Sequence, residues 1–145
     1  MYSHYIISFY LIFISFFKVG NSLAEEKISW YNGNTHTHSL WSDGNDFPEM
    51  IAKYYKDNNY HFLVLSDHNI LSRGQKWMNV QSAEKRRRTL GVSTMKKYIS
   101  TFGEDWVETR GDGDKQEVRL KTLEEIRPFF EKEKNFIFIE GEEIT

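Results

Sequence analysis

Cysteine is absent from all 145 residues, which excludes disulfides, thiolate chemistry and cysteine-held zinc, whatever the redox compartment. Metal chemistry in this chain must therefore use imidazole and carboxylate. Charge of one sign is also scarce: the formal net charge is −2, so the bulk field draws in neither nucleic acid nor an anionic membrane. An anionic substrate has to be held locally. There is no internal repeat, no low-complexity block and no proline-rich linker, and proline occurs only at Pro48 and Pro128. What is present is enough to fold: 39% of the residues are hydrophobic and 16% aromatic, which argues against intrinsic disorder. The length suits one globular unit after any targeting peptide.

One long apolar run exists, from Tyr5 to Phe17, and it is too short for the roughly 20 residues of a membrane-spanning helix. It suits the core of a signal peptide. Ser22-Leu23-Ala24 then offers small residues where a signal peptidase reads, followed by the charged Glu25-Glu26-Lys27. The reading is a signal peptide over 1–24, cleaved after Ala24, with a secreted or periplasmic product and no stable membrane insertion. An uncleaved anchor is the alternative, and it also exports the domain.

In the body, Ser29 to His38 suits a short strand running into a loop. Residues two apart in an extended segment share a side, so His36 and His38 face one point. Asp46 is placed to cap a helix from Phe47 to about Asp57, with Phe47, Met50, Ile51, Tyr54 and Tyr55 on one face. His61 to Ser66 is a continuous apolar run expected of a parallel strand buried on both faces, and it stops at Asp67-His68. Residues 70–116 read as an insertion, with a basic stretch over Lys85–Arg88, a helix over Thr94–Phe102, and a hairpin or arm around Gly111–Asp114. Thr122 to Glu125 is a capping box opening a helix towards Lys134, with Pro128 in its path. The last strand, Phe136–Glu140, leads into Gly141-Glu142-Glu143.

Strand, helix, strand, excursion, helix, strand is an α/β order with parallel strands, and ligands in such folds gather beyond the carboxyl ends of the strands. The three polar clusters, Thr35–Asp43, Ser66–Asn69 and Glu140–Glu143, all stand at such ends. Taken alone, each is ordinary: two histidines in a polar loop, an Asp-His at a strand end, a solvated pair of glutamates. Together they supply the imidazole nitrogen and carboxylate oxygen that Zn, Mn or Fe favour.

The strings Asn34-Thr35-His36-Thr37-His38-Ser39 with Ser42-Asp43-Gly44, Leu65-Ser66-Asp67-His68-Asn69, and Gly141-Glu142-Glu143-Ile144-Thr145 resemble the successive motifs of PHP (polymerase and histidinol phosphatase) phosphoesterases. The resemblance implies that residues 25–145 form the N-terminal portion of a distorted seven-stranded β/α barrel holding two or three divalent metals. It implies that His36 and His38 bind one metal, Asp43 and His68 help bind a second, and Glu143 bridges. Asp67 is then a residue that orients a ligand histidine rather than a ligand. Members of the family supply further histidines and an Asp-x-His pair from later strands, so the expectation is a fragment, inactive by itself. Of the remaining histidines, His4 lies in the signal peptide and His61 opens a strand away from the site, and both read as structural.

The chemistry implied is hydrolysis by metal-activated water, with no protein nucleophile, on a small phosphorylated substrate. Arg73 and Lys76, just past the Asp-His-Asn turn, are candidate phosphate-binding cations, set against the ordinary alternative of surface charge. Two other readings are open. One is amidohydrolase-like attack on a carbonyl by the same kind of site. The other is a non-catalytic metal-binding or carbohydrate-surface module, with Trp30, Trp41, Trp77 and Trp106 as a platform.

Overall fold

The computed structural model describes residues 28–86 and 91–145. The expected signal peptide and the end of the basic stretch, Arg87 and Arg88, lie outside the described residues. In chain order the elements are β1 (Gly33–Asn34), α1 (Pro48–Asp57), β2 (Phe62–Leu65), β3 (Lys76–Asn79), α2 (Val80–Arg86), α3 (Thr94–Phe102), β4 (Thr109–Arg110), β5 (Glu117–Leu120), α4 (Leu123–Phe130) and β6 (Ile137–Glu140). The fold is mixed α/β with two small sheets.

The first sheet is wholly parallel, in the order β1-β2-β6, with Leu63 opposite both Asn34 and Phe138. α1 and α4 pack together on one of its faces, where Ala52, Leu63, Leu65, Leu123, Ile126, Phe130, Phe136 and Phe138 form a core. Each large side chain buried there stabilises the fold by roughly 1.5–3 kcal/mol. The opposite face carries Ile137 and Ile139, which are 49% and 45% exposed. The expectation of burial on both faces is therefore corrected for this strand set: among the described residues helices cover one side only, and β2 alternates half-buried and buried positions.

The helix boundaries shift for identifiable reasons. α1 begins at Pro48, whose fixed φ and missing N–H suit a first helical position, and Asp46 does not cap it; its Oδ1 accepts from the neighbouring Phe47 N–H at 3.0 Å. The buried residues of α1 are Pro48, Glu49, Met50 and Ala52, while Tyr54 is exposed, because the helix is wedged between two cores rather than laid on one. The capping box at Thr122 and Glu125 forms in both directions. α4 ends at Phe130, one turn short of Lys134, soon after Pro128 breaks the hydrogen-bond ladder.

The excursion between β2 and α4 is an antiparallel sheet, β3-β5-β4, with α2 and α3 against it. The β4–β5 hairpin matches the arm expected around the Gly-Asp cluster, whereas β3 and α2 had no clear periodic signal. Met78, Ala83, Met95, Tyr98, Val118 and Leu120 join Leu40, Trp41, Phe47 and Met50 in a second core. That core reaches under the loop after His38 and holds it from below.

Candidate metal centre

Beyond β1 the chain stays extended and pairs with the end of β2: Ser66 N–H donates to the Thr37 carbonyl at 2.8 Å and Thr37 N–H to Ser66 Oγ at 3.1 Å. Pairing through Thr37 leaves His36 and His38 on the same side, with ring centroids 4.8 Å apart. Past β2 and β6 the two strands meet again in a parallel bridge between His68 and Glu143. Glu143 N–H donates to the Asp67 carbonyl at 3.2 Å and Asn69 N–H to the Glu143 carbonyl at 2.9 Å. Asn69 turns the chain there with φ +50°, a left-handed conformation that asparagine tolerates better than most residues. Three strand ends thus deliver their side chains to one level.

The donor atoms converge. Glu143 Oε2 lies 2.8 Å from His36 Nε2, 2.7 Å from His38 Nε2 and 3.5 Å from His68 Nδ1. Asp43 Oδ1 lies 2.9 Å from His38 Nδ1, and its Oδ2 is 3.5 Å from His68 Nε2. Two overlapping groups result: His36, His38 and Glu143, and His38, Asp43 and His68. Both ring nitrogens of His38 thus face a carboxylate, Nδ1 that of Asp43 and Nε2 that of Glu143. That is how a carboxylate commonly fixes the ring of a ligand histidine.

The histidines hold the carboxylates ionised. The His36 hydrogen bond is the largest influence and lowers the Glu143 pKa; desolvation acts against it, and the charges of His68 and His36 with the His38 bond add to the lowering. Desolvation pushes Asp43 up, but the His38 bond and the charges of His68 and His38 together bring it below its ordinary value. His68 Nδ1 is buried without a hydrogen bond, a costly state for a polar atom unless something else engages it. Imidazole nitrogens, carboxylate oxygens and one buried nitrogen without a hydrogen bond are a donor set that fits a borderline divalent metal.

Asp67 corrects one expectation. Its carboxylate is fully buried and bonds no histidine; Oδ1 accepts from Ser39 N–H at 2.7 Å and Ser42 Oγ at 2.6 Å, and Oδ2 from Ser39 Oγ at 2.8 Å. Asp67 therefore fixes the loop between His38 and Asp43 instead of a ring. Gly44 completes that loop because a Cβ would lie 2.5 Å from the His38 carbonyl and Ser39 nitrogen, so only glycine permits the approach. Ser39 and Ser42 are site residues that the motif strings contained but spacing gave no role.

No protein-family model matches the chain, and no curated protein and no solved structure matches it either. The site is thus read from its own geometry.

The remaining candidates are placed as follows. Arg73 gives both of its guanidinium bonds to Glu140, at 2.7 and 2.5 Å. Lys76 Nζ donates to the Trp41 carbonyl and lies 5.6 Å above the Trp41 ring; burial lowers its pKa, with Asp67 acting the other way. His61 Nδ1 accepts from Asn32 N–H at 3.0 Å, and the ring packs edge-on to Tyr31. Of the four tryptophans Trp30 is 92% exposed, Trp41 is a core residue, Trp106 packs against both cores and Trp77 stacks under Arg110. They form no common platform. Among the described residues no helix is long and apolar enough to cross a membrane.

Proposed function

We propose that the cluster is the divalent-metal centre of an exported hydrolase of the PHP type, acting on phosphate esters, and that the parallel sheet is part of that family's β/α barrel. The observation that carries the reading is the meeting of three imidazoles around one carboxylate oxygen of Glu143, all from the ends of three parallel strands, with Asp43 from the following loop against two of the same rings. Divalent ions held by these residues would lower the pKa of bound water towards neutrality and so would supply hydroxide for the hydrolysis.

The chain's own residues set the conditions for that chemistry. His36, His38 and Glu143 make one donor group, Asp43 and His68 begin a second, and Glu143 Oε2 stands between them. His38 is held in orientation by Asp43, and Asp67 keeps the intervening loop in register. Lys76 and Arg73 are the proposed phosphate-binding cations. Each must exchange a protein acceptor, the Trp41 carbonyl or Glu140, for a phosphate oxygen, so substrate binding competes with internal bonds. The same site chemistry also suits attack on a carbonyl carbon.

The test is equilibrium dialysis of the purified chain against Mn²⁺ and Zn²⁺, with hydrolysis of aryl phosphate monoesters, diesters and anilides measured on the loaded protein. One or two ions per chain are expected, and only the phosphate esters should react wherever the loaded protein turns over a substrate. A folded protein that takes up no stoichiometric metal sinks the reading, and turnover of the anilides alone moves it to the carbonyl chemistry.

A further inference from the structure

The excursion is more than a decoration, because it grips the ligand-bearing loop with two cations. Arg86, the last residue of α2, donates from Nη1 to the carbonyl of Ser42 and, at 3.1 Å, to that of Gly44. The two carbonyls straddle Asp43. Lys76, from β3, donates to the carbonyl of Trp41 in the same turn. Three carbonyls of one short turn are thus held from the excursion side, while Asp67 holds the amide and hydroxyls from the sheet side.

The grip comes from a docked helix. α2 is opened by Asn79, whose Oδ1 accepts from Ser82 N–H at 3.1 Å, and Ala83 is fully buried under it. Glu84 accepts from Ser93 Oγ, Thr94 N–H and Met95 N–H at 2.7–2.9 Å, which ties α2 to the start of α3. Arg86 is presented by this framework at the rim of the cluster. The Asp43 carboxylate itself is engaged by His38 and His68, so the contact of Arg86 with this residue's neighbours runs through the backbone.

We infer that Arg86 is a positioning residue for the Asp43–His68 half of the cluster, so that the excursion sets the affinity of the second metal position. The inference rests on the metal-centre reading. A guanidinium bridging two carbonyls fixes the direction in which the residue between them projects, and removing it lets Asp43 turn away from His68. Residues that orient ligands typically contribute about 10–100-fold to metal affinity.

The experiment is a Mn²⁺ titration by calorimetry and equilibrium dialysis on the purified full chain, its Arg86→Ala and Lys76→Met variants, and two references. His68→Ala shows what loss of the second position looks like, and Arg110→Ala removes an exposed cation elsewhere in the excursion. Arg86→Ala is expected to weaken the second binding step by about 10–100-fold and leave the first in place, with the melting transition retained. Lys76→Met is expected to act in the same direction from the other side of the turn, which keeps the test alive if one variant fails to fold. Arg110→Ala should bind as the parent does. An unchanged second step in both loop variants overturns the inference, as does equal weakening of both steps. A parent chain that binds no Mn²⁺ at all overturns the metal-centre reading itself, a result visible before any variant is made.

Discussion

Glu143 Oε2 lies 2.7 Å from Nε2 of His38, while Asp43 holds the other nitrogen of the same ring at 2.9 Å. An imidazole gripped by a carboxylate at each end has no freedom to flip. Its position is decided by two strand ends and one loop together, so His38 is the residue on which both donor groups depend.

His38→Ala is therefore expected to abolish binding at both metal positions, a loss of at least about 100-fold, because it removes a ligand and the partner that orients Asp43. His36→Ala should remove one position and leave the other. His61→Ala should leave metal uptake unchanged, since its Nδ1 is engaged by Asn32 and its ring by Tyr31. Metal content after exhaustive dialysis reads all three. Parent-like uptake by His38→Ala would contradict the assignment.

Asp67 should matter more to stability than any ligand. Its buried carboxylate accepts three hydrogen bonds from Ser39 and Ser42, and removing it leaves the two buried donors of Ser39 unpaired. Asp67→Ala is expected to cost about 3 kcal/mol or more, from charge-assisted bonds of roughly 1.5–3 kcal/mol each discounted for relaxation. Denaturant midpoints check this, and a loss below about 1 kcal/mol, the size of one ordinary hydrogen bond, would show that the loop finds other acceptors.

Much of this was legible because strand-end chemistry is local in sequence. The alternation His36-Thr37-His38 and the run ending at Asp67-His68 read directly from a period of two or a run that stops, whereas Glu143, one of several acidic residues after Phe136, is singled out only by the resemblance to the PHP motifs. The capping box at Thr122 was equally plain. What stayed hidden depends on partners distant along the chain. Asp67 reads as an aid to a histidine until the loop folds back to present Ser39 and Ser42. Arg86 reads as one charge in a basic stretch until α2 docks, and no periodicity announces that its acceptors are Ser42 and Gly44. Tyr54 was expected inside and is exposed, because a helix between two cores buries a different arc from a helix on one.

Gly44→Ala should disturb the site without unfolding the chain. The added Cβ would sit 2.5 Å from backbone atoms of His38 and Ser39, which are not flexible side-chain tips. The backbone must yield, and the two residues that move are His38, a proposed ligand, and Ser39, which bonds Asp67. Over-packing of this kind costs typically 1–3 kcal/mol. A lowered melting temperature with a larger proportional fall in metal affinity is expected. Parent-like binding would place the loop's tolerance above what its packing suggests.

Acid should weaken the excursion through Arg119. Its hydrogen bonds bring Glu108 and Glu125 from 4.5 down to about 2 each, with Lys121 helping at Glu108. A carboxyl whose folded pKa is depressed contributes stability that is complete above its unfolded value and disappears as pH falls through the folded one. The expected window is thus pH 4.5 down to about 2. Both carboxylates are partly solvated, so screening keeps the effect modest. Arg119→Met should flatten the fall in melting temperature over that window, and an unchanged slope would assign the acid sensitivity to other groups.

At higher pH the sign reverses, and the group responsible is Glu49. Its carboxyl is fully buried in α1; Oε1 accepts from Tyr98 Oη at 2.5 Å and Trp106 Nε1 at 3.0 Å, and Oε2 has no hydrogen-bond partner. Burial raises its pKa, and the bonds from Tyr98 and Trp106 and the charge of Lys121 only partly offset this. An acid with a raised folded pKa contributes stability that is fully present below its unfolded value, near 4.5, and is lost as pH rises towards the folded one. Between those values the unfolded chain releases a proton that the folded chain keeps, so unfolding becomes easier with each step in pH. Glu49→Gln retains the acceptor for Tyr98 and Trp106 but cannot ionise, so its melting temperature should lose that alkaline-going slope whatever its absolute value. Because Tyr98 and Trp106 belong to the excursion and Glu49 to the helix beside the metal loop, hydrogen exchange in α3 should report the same transition in the parent and not in the variant. Equal slopes in parent and variant would show that Glu49 is ionised throughout, with its charge balanced inside the core.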